Sequence, residues 1–365
     1  MTSVTYGKIY HSNELFRHFS NERAFVGKKI CLMRLSAIGD ICHAAAMVTR
    51  IQTHWPDAEL TWVIGKVEYQ LVKLMPNVRF IIFDKKQGKA AVESLKNAVK
   101  GETFDALLMM QVALRANLAS RVIKAKRRIG FDWARSKELH WLFANERVAP
   151  RQHSHVLDGF MDFADALGVP KVATPSWNIP VSEEDERWGE EQAAALGDYV
   201  VIAPAASKAE RNWLPERYAE TADYLSQQGK SVILVGGPGD LDKTTANAIL
   251  ACKPTIKADF TGKTSLHQLL VLLKHASLVL APDTGPAHMA TTVGTPVIGL
   301  YAHSNPIRTG PYNNIDNTVS VYDECIEKQK GKKWEQLPWG IRAKGDNLME
   351  GVTTDAVFSK INALL

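Results

Sequence analysis

Two turns in this chain carry residue types that could do chemistry. One is Pro282-Asp283-Thr284-Gly285-Pro286, between an apolar run at 277–281 and a helix expected over 287–293. Asp283 or Thr284 can cap that helix, and Gly285 lets the backbone approach a ligand. Free N–H groups at a helix start, aligned with the helix dipole, suit an anion and phosphate above all. A plain helix cap has the same composition. His288, one turn inside, could touch a phosphate or a sugar, or serve as a satisfied structural histidine. The other turn is Ser36-Ala37-Ile38-Gly39-Asp40, between a strand expected at 29–35 and a helix expected over 41–54. A carboxylate there can act as a general base on a hydroxyl within hydrogen-bond reach, so Asp40 is the candidate base, with a structural cap as the rival reading.

Further candidates lie after other strands. Gly236-Gly237-Pro238-Gly239-Asp240 lacks the G-x-G-x-x-G spacing of dinucleotide sites. Its glycines still admit a ribose or planar group beside Gly237, and Asp240, with Asp242 as its rival, could accept bonds from ribose hydroxyls. Arg211 could pair with a diphosphate, which guanidinium matches well; Ser207 and Lys208 are its neighbours and rivals. His43 and His54 are expected at the surface or in structural roles. No His/Asp/Glu spacing suggests a metal site, and no metal or cofactor is expected.

The elements that must position these residues alternate strand and helix. Strands are expected at 29–35, 62–64, 78–83, 106–110 and 128–131, with helices over 90–100, 115–124 and 155–167. After a linker at 168–180 containing Pro170, Pro175 and Pro180, a second series follows. It has helices over 183–196, 215–228, 244–251 and 266–275 and strands at 199–203, 231–235, 277–281 and 297–301. The reading is α/β, two doubly wound parallel sheets with helices on both faces, whose ligands bind beyond the carboxyl ends of the strands. The units are taken as an extension at 1–27 with a short helix over 13–25, a first domain at 28–180, a second at 181–345, and a final helix over 354–364 that packs back on the first domain.

With 365 residues, 45% hydrophobic and 23% charged, the chain has room for two ordinary domains. A formal charge of +5 does not call for nucleic acid. Between residues 115 and 151, however, ten lysines and arginines face three acids, a local surplus that suits an anionic partner. The four cysteines form no C-x-x-C pair, which points to a reduced, cytoplasmic setting. No apolar run has signal-peptide or membrane-spanning length, so any membrane attachment is expected to be peripheral.

Taken together, Arg34-Leu-Ser-Ala-Ile-Gly-Asp40, Asp283-Thr-Gly-Pro-Ala-His288 and Gly294-Thr-Pro296 resemble the signatures of the bacterial lipopolysaccharide heptosyltransferases, the family 9 glycosyltransferases. Arg211-Asn-Trp213-Leu-Pro215 resembles that family's basic-x-Trp-x-Pro segment, with arginine in place of the usual lysine, and Gly130 to Trp133 resembles its heptosyltransferase I branch. The likeness runs in order over 28–310; the segment after Tyr312, with Trp334 and Trp339, matches nothing in it. The resemblance implies a GT-B fold, two Rossmann-like domains facing across a cleft, with the acceptor on the first and the nucleotide sugar on the second. It implies an inverting, metal-independent transfer of heptose from ADP-L-glycero-D-manno-heptose to a Kdo or heptose of the lipid A–Kdo type inner core, at the inner membrane face. Asp40 would be the base. Asp283, Thr284, Gly285 and His288 would bind the donor diphosphate and Arg211 would neutralise the leaving group. An acid near Asp240 would take the ribose, and Lys263 and Thr264 would lie by the adenine. In that frame Arg115, Arg121 and Arg128 would hold acceptor phosphates or carboxylates. Rival readings are a sugar-nucleotide 2-epimerase of the same architecture and a nucleotide-sugar-binding protein without catalysis.

Overall fold

The structure, a computed structural model, describes residues 27–365. The helix expected over 13–25, and nearly all of the 1–27 extension, lie outside the described residues. The first sheet contains β1 (Lys29–Met33), β2 (Glu59–Ile64), β3 (Val78–Ile82), β4 (Phe104–Met109), β5 (Ala125–Gly130) and β6 (Glu146–Arg147). It runs in the order β3-β2-β1-β4-β5-β6. The second contains β7 (Tyr199–Ile202), β8 (Ser231–Leu234), β9 (Ala258–Asp259), β10 (Leu278–Pro282), β11 (Val297–Tyr301) and β12 (Val319–Ser320). Its order is β12-β11-β10-β7-β8-β9. Every neighbouring pair is parallel, as connections through helices require.

Both sheets reverse direction once, between β1 and β4 in the first and between β7 and β10 in the second. Beyond the carboxyl ends of such strand pairs the outgoing loops diverge and leave a crevice. The 34–37 and 110–113 loops open at one reversal, and the 203–214 and 283–284 loops at the other.

Around the sheets lie α1 (Ile38–His54), α2 (Lys66–Val72), α3 (Lys89–Ala98), α4 (Leu114–Ala119) and α5 (Val156–Leu167) in the first half. The second half carries α6 (Glu183–Leu196), α7 (Pro215–Gln227), α8 (Asp240–Ala251), α9 (Leu266–His275), α10 (Gly285–Thr292), α11 (Pro306–Thr309), α12 (Tyr322–Lys330) and α13 (Thr354–Leu364). Three helices start well before the expected residue: α1 at Ile38, α8 at Asp240 and α10 at Gly285. In α10 the reason is Pro286, which fits a first-turn position because its missing N–H would be unpaired there anyway. The helix expected over 115–124 is a short α4 followed by a 3₁₀ turn, Ser120–Val122.

The last helix does not return to the first domain. Val357 and Ile361 of α13 are buried in the core of the second domain with Ala222 and Leu225 of α7, and Phe358 stacks on Tyr224 at 3.9 Å. The segment that does reach back is 310–339. His155 Nε2 donates to the Gly310 carbonyl at 2.9 Å, Tyr312 Oη to Asp158 at 2.8 Å, and Trp339 Nε1 to the Ser154 carbonyl at 3.1 Å. The 168–180 linker lies along α1, where Trp177 Nε1 donates to the Cys42 carbonyl at 2.8 Å. One continuous apolar core joins the sheets through α1, α5, α9 and α10. Among the described residues no helix is long and apolar enough to cross a membrane.

Candidate functional site

Asp40 sits in the first turn of α1, where its carboxylate accepts the Ala37 N–H at 3.2 Å and pairs with the Arg34 guanidinium. Arg34 is fixed in turn. Its Nη1 donates to the Met110 carbonyl at 2.6 Å, and its guanidinium lies over the Phe160 ring at 5.2 Å. The Leu35 N–H donates to Gln111 Oε1 at 3.1 Å, so the loops after β1 and β4 are tied together. The Asp40 side chain keeps 30% of its exposure against 11% for Arg34. It is held in place and still open to a substrate.

At the other reversal, neither expected cap is used as one. Thr284 is the N-cap residue of α10, but no side chain caps the helix, because Thr284 Oγ1 donates to the Ala205 carbonyl at 3.1 Å. Asp283 turns aside as well. Its Oδ2 accepts from Ser304 Oγ at 2.8 Å and from Arg211 Nη1 at 3.3 Å, and its Oδ1 lies 3.9 Å from His288 Nε2. Burial pushes the Asp283 carboxyl up, but His288, Arg211 and Ser304 outweigh it and hold the group below the ordinary carboxylate value. The first turn of α10 is thus left without a side-chain acceptor, beside a fixed guanidinium. Arg211 Nε and His288 Nδ1 are buried without a hydrogen-bond partner.

The two helix starts touch. A Cβ on Gly39 would lie 2.4 Å from His288 Cδ2, and one on Gly285 would lie 3.3 Å from Ile38 Cβ. Only glycine lets the starts of α1 and α10 approach this closely. Behind them, the His43 ring packs edge-on to His288 at 4.8 Å and to His155 at 5.3 Å. Burial, then His288, His155 and Arg34, hold His43 well below the usual histidine value, and burial brings His155 to about 4. His43 is therefore a neutral, buried interface residue, while His54 stands exposed at the end of α1.

The other candidates divide clearly. The Gly237 N–H donates to Asp242 Oδ1 at 2.7 Å, so the rival Asp242 braces the glycine loop and leaves Asp240 exposed at the start of α8. Gly262, at φ +70, presses on that loop, where a Cβ would lie 3.2 Å from Pro238 Cα. The Gly262 N–H donates to the Gly236 carbonyl at 2.9 Å, which ties the turn leading into Lys263 and Thr264 to the glycine loop. Lys263 Nζ donates to the Asp259 carbonyl at 2.7 Å. Ser207 and Lys208 are exposed after β7. Arg121 is exposed, and so is Arg115, whose Nη1 donates to the Lys85 carbonyl at 3.2 Å.

Arg128 is not available for an acceptor. Its Nε donates to the Phe143 carbonyl at 2.8 Å, Nη1 to the Ser120 and Ile123 carbonyls at 3.2 and 2.9 Å, and Nη2 to Ser120 Oγ at 2.7 Å. The guanidinium is saturated by its own domain.

Two residues were missed. Ser304, just past β11, orients Asp283. Arg308, on α11, is half-buried against Gly340, where a Cβ would come within 3.2 Å of its Nε. Burial and Arg342 lower the Arg308 pKa, while Asp40 and Asp283 raise it, so this cation lies in the field of one carboxylate from each domain. Among the described residues no carboxylate pairs with it. Its place in the segment that follows a strand is the signal that had marked Arg211. Among the described residues no group of three His, Cys, Asp or Glu is placed to hold a metal ion.

Residues 92–337 match glycosyltransferase family 9 (heptosyltransferase), more than half of the chain. The chain is 45% identical over 337 residues to the lipopolysaccharide core heptosyltransferase OpsX of Haemophilus influenzae, covering 92% of this chain and 97% of that one. Among solved structures, a glycosyltransferase family 9 protein of Veillonella parvula superposes with a TM-score of 0.75 at 21% identity, over 93% of this chain and 97% of the other. Escherichia coli heptosyltransferase WaaC with ADP superposes at 0.72 and 20% identity, over 92% and 100%. Two parallel-sheet domains of the GT-B kind are thus shared with these structures, and the chain belongs to glycosyltransferase family 9, the heptosyltransferases.

Proposed function

We propose that this glycosyltransferase moves heptose from ADP-L-glycero-D-manno-heptose to a Kdo or heptose of the lipopolysaccharide inner core, with inversion and without a metal. The contact between the two helix starts carries the reading: Gly39 against His288 brings the Asp40 carboxylate beside an uncapped helix start that suits a diphosphate. The name of the Haemophilus relative supports the acceptor class. A WaaC structure with ADP-2-deoxy-2-fluoro heptose supports the donor.

In this scheme the donor diphosphate lies on the first turn of α10, with the Arg211 guanidinium beside it. Asp40 takes the proton of an acceptor hydroxyl as that oxygen attacks the anomeric carbon. The bond to the diphosphate breaks on the opposite face, and ADP leaves with the bonding electrons. Arg34 and the Ala37 N–H hold the carboxylate in one orientation. Negative charge developing on ADP meets Arg211, the helix start and Arg308, the preorganised stabilisation that accounts for much of enzymatic rate enhancement. In the same scheme Asp240 and the 261–264 loop take the ribose and base. Acceptor anions face Arg115 and Arg121.

The test is a transfer assay with mass detection, run with and without a chelator. It uses ADP-heptose and deacylated core acceptors ending in Kdo or in heptose. One heptose should be added to one of them, at equal rate with chelator present. Conversion of ADP-heptose in the absence of acceptor would favour an epimerase instead.

A further inference from the structure

Of the large apolar side chains exposed among the described residues, six fall between 114 and 142: Leu114, Leu118, Trp133, Leu139, Trp141 and Leu142. They form one face. Leu114 and Leu118 are a turn apart on α4. The Glu138 carboxylate accepts the Leu114 N–H at 2.6 Å, and Asn117 Nδ2 donates to the Glu138 carbonyl at 3.1 Å. The ring of His140 lies 2.8 Å from Asn117 Oδ1. These bonds clamp the 138–142 turn against α4. Trp133, 64% exposed, lies 5.8 Å from Trp141 and carries the Arg147 guanidinium on its ring at 4.1 Å.

This display is held against two opposing terms. Glu138 and Leu139 sit in the left-handed region at φ +50 and +60, which non-glycine residues seldom adopt unless their surroundings enforce it. The turn so formed puts Leu139, Trp141 and Leu142 into solvent, and contiguous exposed apolar surface of this kind marks an interaction site.

The rim identifies the partner. Lys85, Lys86, Lys89, Arg115, Arg121 and Lys137 are exposed around this face. Two acids at this face are bonded locally, Glu138 to the Leu114 N–H and Asp84 to the Lys86 N–H at 3.0 Å. A second copy of the same face would set cations against cations. Tryptophan and leucine within a ring of lysine and arginine match the headgroup boundary of an anionic bilayer. We infer that the face formed by α4, Trp133 and the 138–142 turn seats the chain on an anionic lipid surface. The face lies at the carboxyl end of the first sheet, as Asp40 does, since Met110 and Gln111, which bind Arg34 and Leu35, directly precede α4. A lipid-linked acceptor would then be presented on the side where the base stands. Only that orientation rests on the proposed reaction; docking itself is measured without substrate, so the two can fail separately.

The full chain is sedimented with vesicles of phosphatidylcholine alone and of phosphatidylcholine with phosphatidylglycerol. It should bind the anionic vesicles, with binding reduced by salt. The triple variant Leu139→Ser, Trp141→Ser, Leu142→Ser should bind at least about tenfold more weakly, with an unchanged melting temperature and unchanged transfer to a deacylated acceptor. The variant Lys85→Glu, Lys86→Glu, Lys89→Glu should lose the preference for anionic lipid. Equal vesicle binding by wild type and the serine variant would overturn the inference. So would absence of wild-type binding, or a wild-type dimer that the serine variant makes monomeric.

Discussion

The starts of α1 and α10 are two copies of one strand–turn–helix unit, and they differ in who supplies the anion. In α1 the chain supplies its own: Asp40 folds onto the Ala37 N–H and pairs with Arg34. In α10 the residues that could have done the same are drawn off, Thr284 to the Ala205 carbonyl and Asp283 to Ser304 and Arg211. The same local geometry yields a fixed carboxylate on one side of the cleft and a helix start with no side-chain cap on the other. In the proposed reaction the first is the base and the second the cradle of the leaving diphosphate.

Replacing Asp40 tests the first half and has the largest expected effect. Asp40→Asn should slow transfer about 10²- to 10⁴-fold, the range of a general base, while ADP affinity stays within about threefold. Loss of ADP binding along with the rate would make Asp40 a structural cap and erase the contrast. Arg211 tests the second half. Arg211→Ala should lower kcat about 10²- to 10³-fold, as removal of one oxyanion donor does, and weaken ADP in titration calorimetry; Arg211→Lys should regain part of both.

The meeting of the two starts can be probed with one methyl group. Gly39→Ala would place a carbon 2.4 Å from His288 and force that ring to move. Transfer should fall about tenfold to a hundredfold, in line with the penalty for small misplacements. Gly285→Ala, with 3.3 Å to Ile38, should have a smaller effect; the reverse order would mean that the contact does not set the geometry. Arg308→Gln should reduce kcat/KM about tenfold, the worth of one charge-assisted hydrogen bond, in steady-state assays.

The smallest effect concerns pH. His43 and His155 have folded pKa values below the unfolded value, His155 near 4. Above about pH 6.5 both are neutral folded or unfolded, and they give stability no pH dependence. As pH falls from there toward 4, the unfolded chain binds protons that the folded chain refuses, so stability drops. Melting temperature should fall over that window, and His155→Asn should flatten the fall. A flat wild-type curve would show that these rings are not buried neutral.

The placement of the two reactive turns was legible because each follows an apolar strand and contains glycine. Sheet reversal then brings them to a cleft. What side chains do inside those turns was not legible. Asp283 has cap chemistry, and only the folded position of Ser304 and Arg211 diverts it. Arg128 looked like Arg115 and Arg121 in the sequence, yet it donates five hydrogen bonds to four acceptor atoms of its own domain. Strands of two residues, such as β6, β9 and β12, carry no period to read. The apolar positions of α13 show that it has a buried face but do not say which domain covers it.

The central claim is that the first turn of α10 holds the donor diphosphate within reach of Asp40. A crystal structure of the ADP complex tests it most directly. The diphosphate is expected against the Gly285 and Ala287 N–H groups, with Arg211 Nε paired to it and its free end toward Asp40. A diphosphate bound elsewhere, with that turn of α10 empty, would contradict the account.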